Sequence, residues 1–148
     1  MGLNPGSRAR GKRLADMSGH FEEVEQTYRR PEGAEQRDDP AVMDIGDGHY
    51  IHSESWFLRG KIVWFVLAHY YKPTPTSDGV PVTRVDCCGN TVHQHRYNAA
   101  GEDLLDHRVI SEIPLEDPGN AVHDAYDEAW GFVVDDAEAN VELWRRTL

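Results

Sequence analysis

The sequence predicts an α+β domain: an antiparallel sheet of about five strands with C-terminal helices packed on one face. Three observations carry this expectation. Strand-like segments fill the middle of the chain, and two helix-like segments follow after Pro114. Two of the strand junctions are two-residue turns that contain glycine, Arg59-Gly60 and Gly89-Asn90, and such turns join antiparallel neighbours. The 148 residues, 39% hydrophobic, supply one domain's worth of core.

Residues 1–13 hold Gly2, Pro5, Gly6 and Gly11 among four basic side chains, the composition of a flexible arm. Ser18 is placed to cap a short helix in which Phe21, Val24 and Tyr28 recur at helical spacing. Residues 31–40 lack apolar periodicity and read as a linker. Residues 1–42 are therefore expected to be a disordered or loosely attached basic arm with a short helix and linker, and 43–148 a single α+β domain.

Residues 50–58 are rich in aromatic and β-branched side chains, the composition of a strand. Residues 61–71 are apolar on both faces, which predicts a central strand covered on each side. Three prolines and a glycine make 72–81 a loop. Residues 82–88 and 91–97 form a second hairpin about Gly89-Asn90, and 108–113 a fifth strand ended by Pro114. Asp117 as N-cap and Pro118 in the first turn open a helix that runs to about Trp130, where Gly131 ends or bends it. A last helix begins at Asp135-Asp136, with Ala137, Val141, Trp144 and Leu148 on one face.

The net charge of −11 is uneven. Residues 49–98 carry five basic and three acidic groups and five of the eight histidines, whereas 99–148 carry three basic and thirteen acidic groups. An acidic surface repels nucleic acid, so any RNA contact has to come from the middle third. No apolar run reaches the ~20 residues of a membrane span, and the basic N-terminal stretch has no apolar segment behind it, so neither a transmembrane helix nor a secretory signal is expected. Two adjacent cysteines make no disulfide framework and fit a reducing, cytoplasmic setting.

The chemistry-bearing residues cluster on the second hairpin. Counting outward from Gly89-Asn90 pairs Asp86 with His93 and Arg84 with His95, and alternation puts Arg84, Asp86, His93, His95 and Tyr97 on one face. In such a set His93, oriented by Asp86 and raised in pKa by it, is a general base and His95 a general acid. Arg84 is a phosphate ligand and Tyr97 a positioning donor. Those roles suffice for cleavage of RNA by its own 2′-hydroxyl without a metal. Arg96, Arg59 and Lys61 are the remaining cations that could line a basic strip. The same residues allow a metal reading: His93, His95 and Asp86 can ligate Zn²⁺ or Fe²⁺, with His107 or His69 completing the sphere. They also allow a bland one, a solvated hydrogen-bond network. Cys87 and Cys88 point to opposite faces and cannot share a site.

Arg84-x-Asp86 followed by His93-x-His95 resembles the central motif of small TumE-like toxin components of bacterial toxin–antitoxin pairs. That resemblance implies a cytoplasmic endoribonuclease-like toxin with RNA as substrate, Arg84, Asp86, His93 and His95 at its site, and a cognate antitoxin as partner. Two rivals remain open: a non-enzymatic phage or bacterial accessory protein that binds a protein partner, and a His-x-His metal-binding protein. Homo-oligomerisation is open under each of them.

Overall fold

The structure, a computed structural model, describes residues 27–37, 41–105 and 107–146. The arm at 1–13 and the helix expected after Ser18 lie outside the described residues, except for Tyr28, which is not helical. Seven strands make one antiparallel sheet: β1 (Glu35–Gln36), β2 (Ala41–Gly46), β3 (His49–Leu58), β4 (Lys61–Tyr71), β5 (Val80–Cys88), β6 (Thr91–Arg96) and β7 (Arg108–Glu112). Their order is β1-β3-β4-β5-β6-β7, and β2 pairs with β3 alongside β1.

The strand count and the linker are both corrected. Within residues 31–40, Glu35 and Gln36 pair with Phe57 and Trp56, and the Arg37 N–H donates to the Ser55 carbonyl at 2.9 Å. A domain boundary between residues 42 and 43 would cut through β2. These two strands escape a reading of apolar pattern because all their residues except the half-buried Ile45 are exposed. They are held by backbone hydrogen bonds to the edge of β3 rather than by side-chain burial.

β4 occupies the central position its two apolar faces predict, between β3 and β5. On one face Ile51, Ile62, Phe65, Leu67, Val85, Cys87 and Val92 form the core with helix α1 (Pro118–Asp135). Phe65 meets the edge of Tyr126 at 5.1 Å between centroids, and the Ile62 N–H donates to His123 Nδ1 at 3.1 Å. The other face carries the Trp56–Trp64 pair, covered by the segment before β1: Tyr28 stacks on Trp64, and the Arg30 guanidinium lies 4.8 Å over Trp56.

α1 buries Val122, Ala125, Ala129 and Val133 against the sheet and continues past Gly131 instead of stopping near Trp130. The cost of an interior glycine, about 1 kcal/mol, is offset by the burial of Val133 that the extra turn brings. Asp117 holds the N-cap position in a left-handed conformation, but its side chain makes no capping bond. Its carboxylate accepts from Asn120 Nδ2 instead. Helix α2 (Ala137–Arg146) sets Trp144 edge-on to Tyr71, and Arg145 donates to the Tyr71 hydroxyl at 2.8 Å. Among the described residues no helix is long and apolar enough to cross a membrane.

Candidate functional site

The second hairpin folds in the expected register. Arg84 pairs with His95, Asp86 with His93 and Cys88 with Thr91. Gly89, at φ 63°, takes the first central turn position, which in a type II′ turn is the glycine position. Asn90 then ties in both flanks: its side-chain oxygen accepts from the Tyr28 N–H, and its carbonyl from the Ile113 N–H. This register puts Arg84, Asp86, His93 and His95 on the face of the sheet opposite the helices.

There the side chains touch. His93 Nε2 is 3.0 Å from His95 Nε2, and Asp86 Oδ1 is 3.3 Å from both nitrogens. Arg84 Nε donates to Asp86 Oδ2 at 2.8 Å. Both histidine side chains are 9% exposed, whereas the Arg84 side chain is 39% exposed at the rim.

Two further residues enter from the loop after β6. Asn98, buried, turns that loop back: its side-chain oxygen accepts from the Ala100 and Glu102 N–H groups, and its amide donates to Glu102. The returning chain bridges to Tyr97 through Asp103. Asp103 Oδ2 then lies 3.0 Å from His95 Nδ1, and Oδ1 lies 3.2 Å from His107 Nε2. His107 Nε2 is 3.1 Å from His95 Nδ1, and its ring lies parallel to that of His93 at 5.3 Å between centroids. Thr91 Oγ1 meets His93 Nδ1 at 2.9 Å.

The sequence named His107 only as a metal-ligand candidate and missed Asp103 and Thr91. The one local signal was the Asp103–His107 spacing of four, in a stretch with no regular structure to orient it.

Other candidates fall outside the cluster. His69 sits on the helix-facing side of β4, where its Nε2 pairs with His49 Nδ1 at 3.0 Å, so it cannot complete the sphere. Lys61 donates to Asn120 on α1. Asp86 stands opposite Val66, so Lys61 is five residues, roughly 16 Å, further along β4. Arg59 is exposed in the adjoining turn, and Arg96 follows His95 and so projects to the other face. Among the described residues no basic strip gathers round the histidines, and Arg84 is the cation at the cluster's edge. Cys87 is buried and Cys88 exposed, as their alternation requires.

Burial lowers the His93 pKa, and the neighbouring His95, His107 and Arg84 push the same way. Asp86 opposes them without prevailing, which corrects the expectation that this carboxylate raises it. Burial acts to raise Asp103, but the Leu105 N–H and the bonds to His95 and His107 hold it below the usual carboxylate range. Burial raises Tyr97 against the pull of Arg84, so its hydroxyl remains a donor.

No protein-family model, curated protein or solved structure matches the chain. The chemistry of the site therefore rests on its own geometry. Three imidazoles and two carboxylates converge with one half-exposed guanidinium beside them, an arrangement able to move a proton or hold a cation next to a bound anion.

Proposed function

We propose that the protein is a small endoribonuclease-like toxin whose reaction centre is the His93–His95–Asp86 cluster. The observation that supports this reading is Arg84. Its Nε is tied to Asp86, which aims the guanidinium, and its side chain is open to solvent at the rim of the cluster. A fixed guanidinium beside proton-accepting groups suits a phosphate diester. The Arg84-x-Asp86 and His93-x-His95 resemblance to TumE-like toxin components makes RNA the substrate and an antitoxin the partner. Six of the thirteen acidic residues of the C-terminal third lie in α1 and α2, on the far side of the sheet, whereas Asp103 belongs to the cluster itself.

In the reaction the RNA 2′-oxygen bonds to phosphorus as the bond to the 5′-oxygen breaks, leaving a 2′,3′-cyclic phosphate. The 2′ proton passes to the cluster, and the leaving 5′-oxygen takes a proton from His107, the most exposed imidazole of the three. Arg84 stabilises charge on the phosphorane oxygens. His93 and His95 do not divide the work as separate base and acid. Their Nε2 atoms are too close for a phosphate to fit between them, so they act with Asp86 as one centre.

The test is cleavage of single-stranded RNA, with growth inhibition as the cellular readout. His93→Ala, His95→Ala and Arg84→Ala are each expected to lower cleavage about 100-fold or more, and a substrate deoxy at the scission site should resist. Undiminished activity in both histidine variants overturns the reading and favours a protein-binding role.

A further inference from the structure

We infer that His93 Nε2, His95 Nε2 and Asp86 Oδ1 form a three-ligand site for a divalent transition-metal ion of the zinc class, with an open fourth position. This inference deepens the proposed function, because it names what the reaction centre holds.

The argument starts from the three donor atoms. Their separations are 3.0, 3.3 and 3.3 Å. Two ligands at tetrahedral angles on zinc, each about 2.0–2.1 Å away, stand about 3.3 Å apart. A triangle with the observed edges has a circumradius of about 1.9 Å, so a point about 2.0–2.1 Å from all three atoms lies just above its plane. The ligating atom of His107 is within 4.8 Å of those of His93 and His95. His107 Nε2 stands 3.1 Å from His95 Nδ1, on the outward side of that ring, so it does not join the close triangle.

The second atom of each donor group is also engaged. His95 Nδ1 faces Asp103 Oδ2 at 3.0 Å, His93 Nδ1 faces Thr91 Oγ1 at 2.9 Å, and Asp86 Oδ2 accepts from Arg84 at 2.8 Å. When Nδ1–H donates outward on each imidazole, both Nε2 atoms present bare lone pairs. Those lone pairs and an anionic oxygen then point at a common space from largely buried positions. They repel one another unless a cation sits among them. An outer partner for each ligand, a carboxylate on one imidazole included, is the support that fixes tautomer and aim in metal centres.

Two nitrogens and one oxygen suit a borderline ion such as Zn²⁺ and disfavour Mg²⁺ or Ca²⁺, which take oxygen ligands. Three protein ligands with one position left over is the catalytic form of zinc site, in which the metal brings the pKa of a bound water to about 7. A hydroxide there would take the 2′ proton in the reaction above and become water.

The experiment uses the full chain, stripped with a chelator and titrated with Zn²⁺ by calorimetry and with Co²⁺ by visible absorption. One ion per chain is expected, with a tetrahedral Co²⁺ spectrum. Binding should fall about 100-fold or more in His93→Ala and Asp86→Asn, and about 10–100-fold in Thr91→Val, which leaves all three ligands in place. Circular dichroism of each variant separates ligand loss from unfolding, and Thr91→Val keeps the test decisive if the ligand variants do not fold. No uptake by the wild type, or equal affinity in all variants, overturns the site. So does RNA cleavage that persists undiminished in excess chelator, which would leave the ribonuclease reading standing alone. Stoichiometric uptake without any RNA cleavage upholds the metal site and removes the ribonuclease.

Discussion

Asp103 Oδ2 lies 3.0 Å from His95 Nδ1 although the two residues are eight positions apart and belong to a loop and a strand. A proton on Nδ1, donated to this carboxylate, turns Nε2 toward His93 and Asp86 as an acceptor. Asp103→Asn keeps the size of the side chain but removes the charge that sets this tautomer. RNA cleavage and Zn²⁺ affinity are each expected to drop about 10–100-fold with the melting temperature little changed. Parallel kinetics and calorimetry check this, and equal values for variant and wild type would show that Asp103 is a bystander.

Asn98 is the residue that brings Asp103 there. Its side chain makes three hydrogen bonds within the five-residue loop 98–102, and Gly101, at φ 84°, allows the tight return. Asn98→Ala leaves the part-buried Ala100 and Glu102 N–H groups without their side-chain acceptor, at a cost of about 1 kcal/mol for each lost bond. Urea denaturation should show that loss. Cleavage should fall as well, since Asp103 and His107 lose their anchor. A variant of full stability and full activity would mean that the loop is held by other contacts.

The hairpin at Gly89-Asn90 was legible because a two-residue turn sets the register of everything beyond it, and side-chain alternation then assigns faces. Arg84, Asp86, His93 and His95 meet as that count requires. Asp103 was not legible, because its place depends on a side-chain-bonded loop with no periodicity. β1 and β2 were hidden for a different reason. Their exposed side chains carry no apolar signal, and what holds them is the unpaired edge of β3, a property of the partner strand. Gly131 misled because helix propensity is a weak term beside the burial of Val133 one turn on.

Cys87 and Cys88 are neighbours with opposite fates. Cys87 is buried in the core, and burial pushes its thiol up to about 12, with the nearby Asp86 and Cys88 adding to the shift against a backbone hydrogen bond from Phe65. Cys88 is exposed beside the turn. A thiol-reactive dye at neutral pH is expected to modify one cysteine per native chain, and both after denaturation, with the second at least ~100-fold slower in the native state. Peptide mapping should place the native label on Cys88. Rapid labelling of Cys87 would show that the sheet opens there.

His69 is fully buried under the helix-bearing face, 3.0 Å from His49, with its Nδ1 unpartnered. Burial first, and the neighbouring His49 second, lower its pKa from 6.5 to about 4. The unfolded chain therefore takes up a proton that the folded chain refuses. This contribution to stability is fully present above about pH 6.5 and declines as the pH falls toward 4, by roughly 3 kcal/mol in all. Below pH 4 the folded form is protonated too, and no further loss comes from this group. His49, Tyr71 and the Arg145–Glu142 pair of α2 crowd this end of the sheet, so docking of α2 is expected to loosen together with the loss. Urea unfolding of the wild type and His69→Gln across that range checks the sign. The glutamine variant still offers His49 a polar partner but cannot titrate. Its stability should be flatter with pH by about the stated amount, and two parallel curves would exclude His69 as the source.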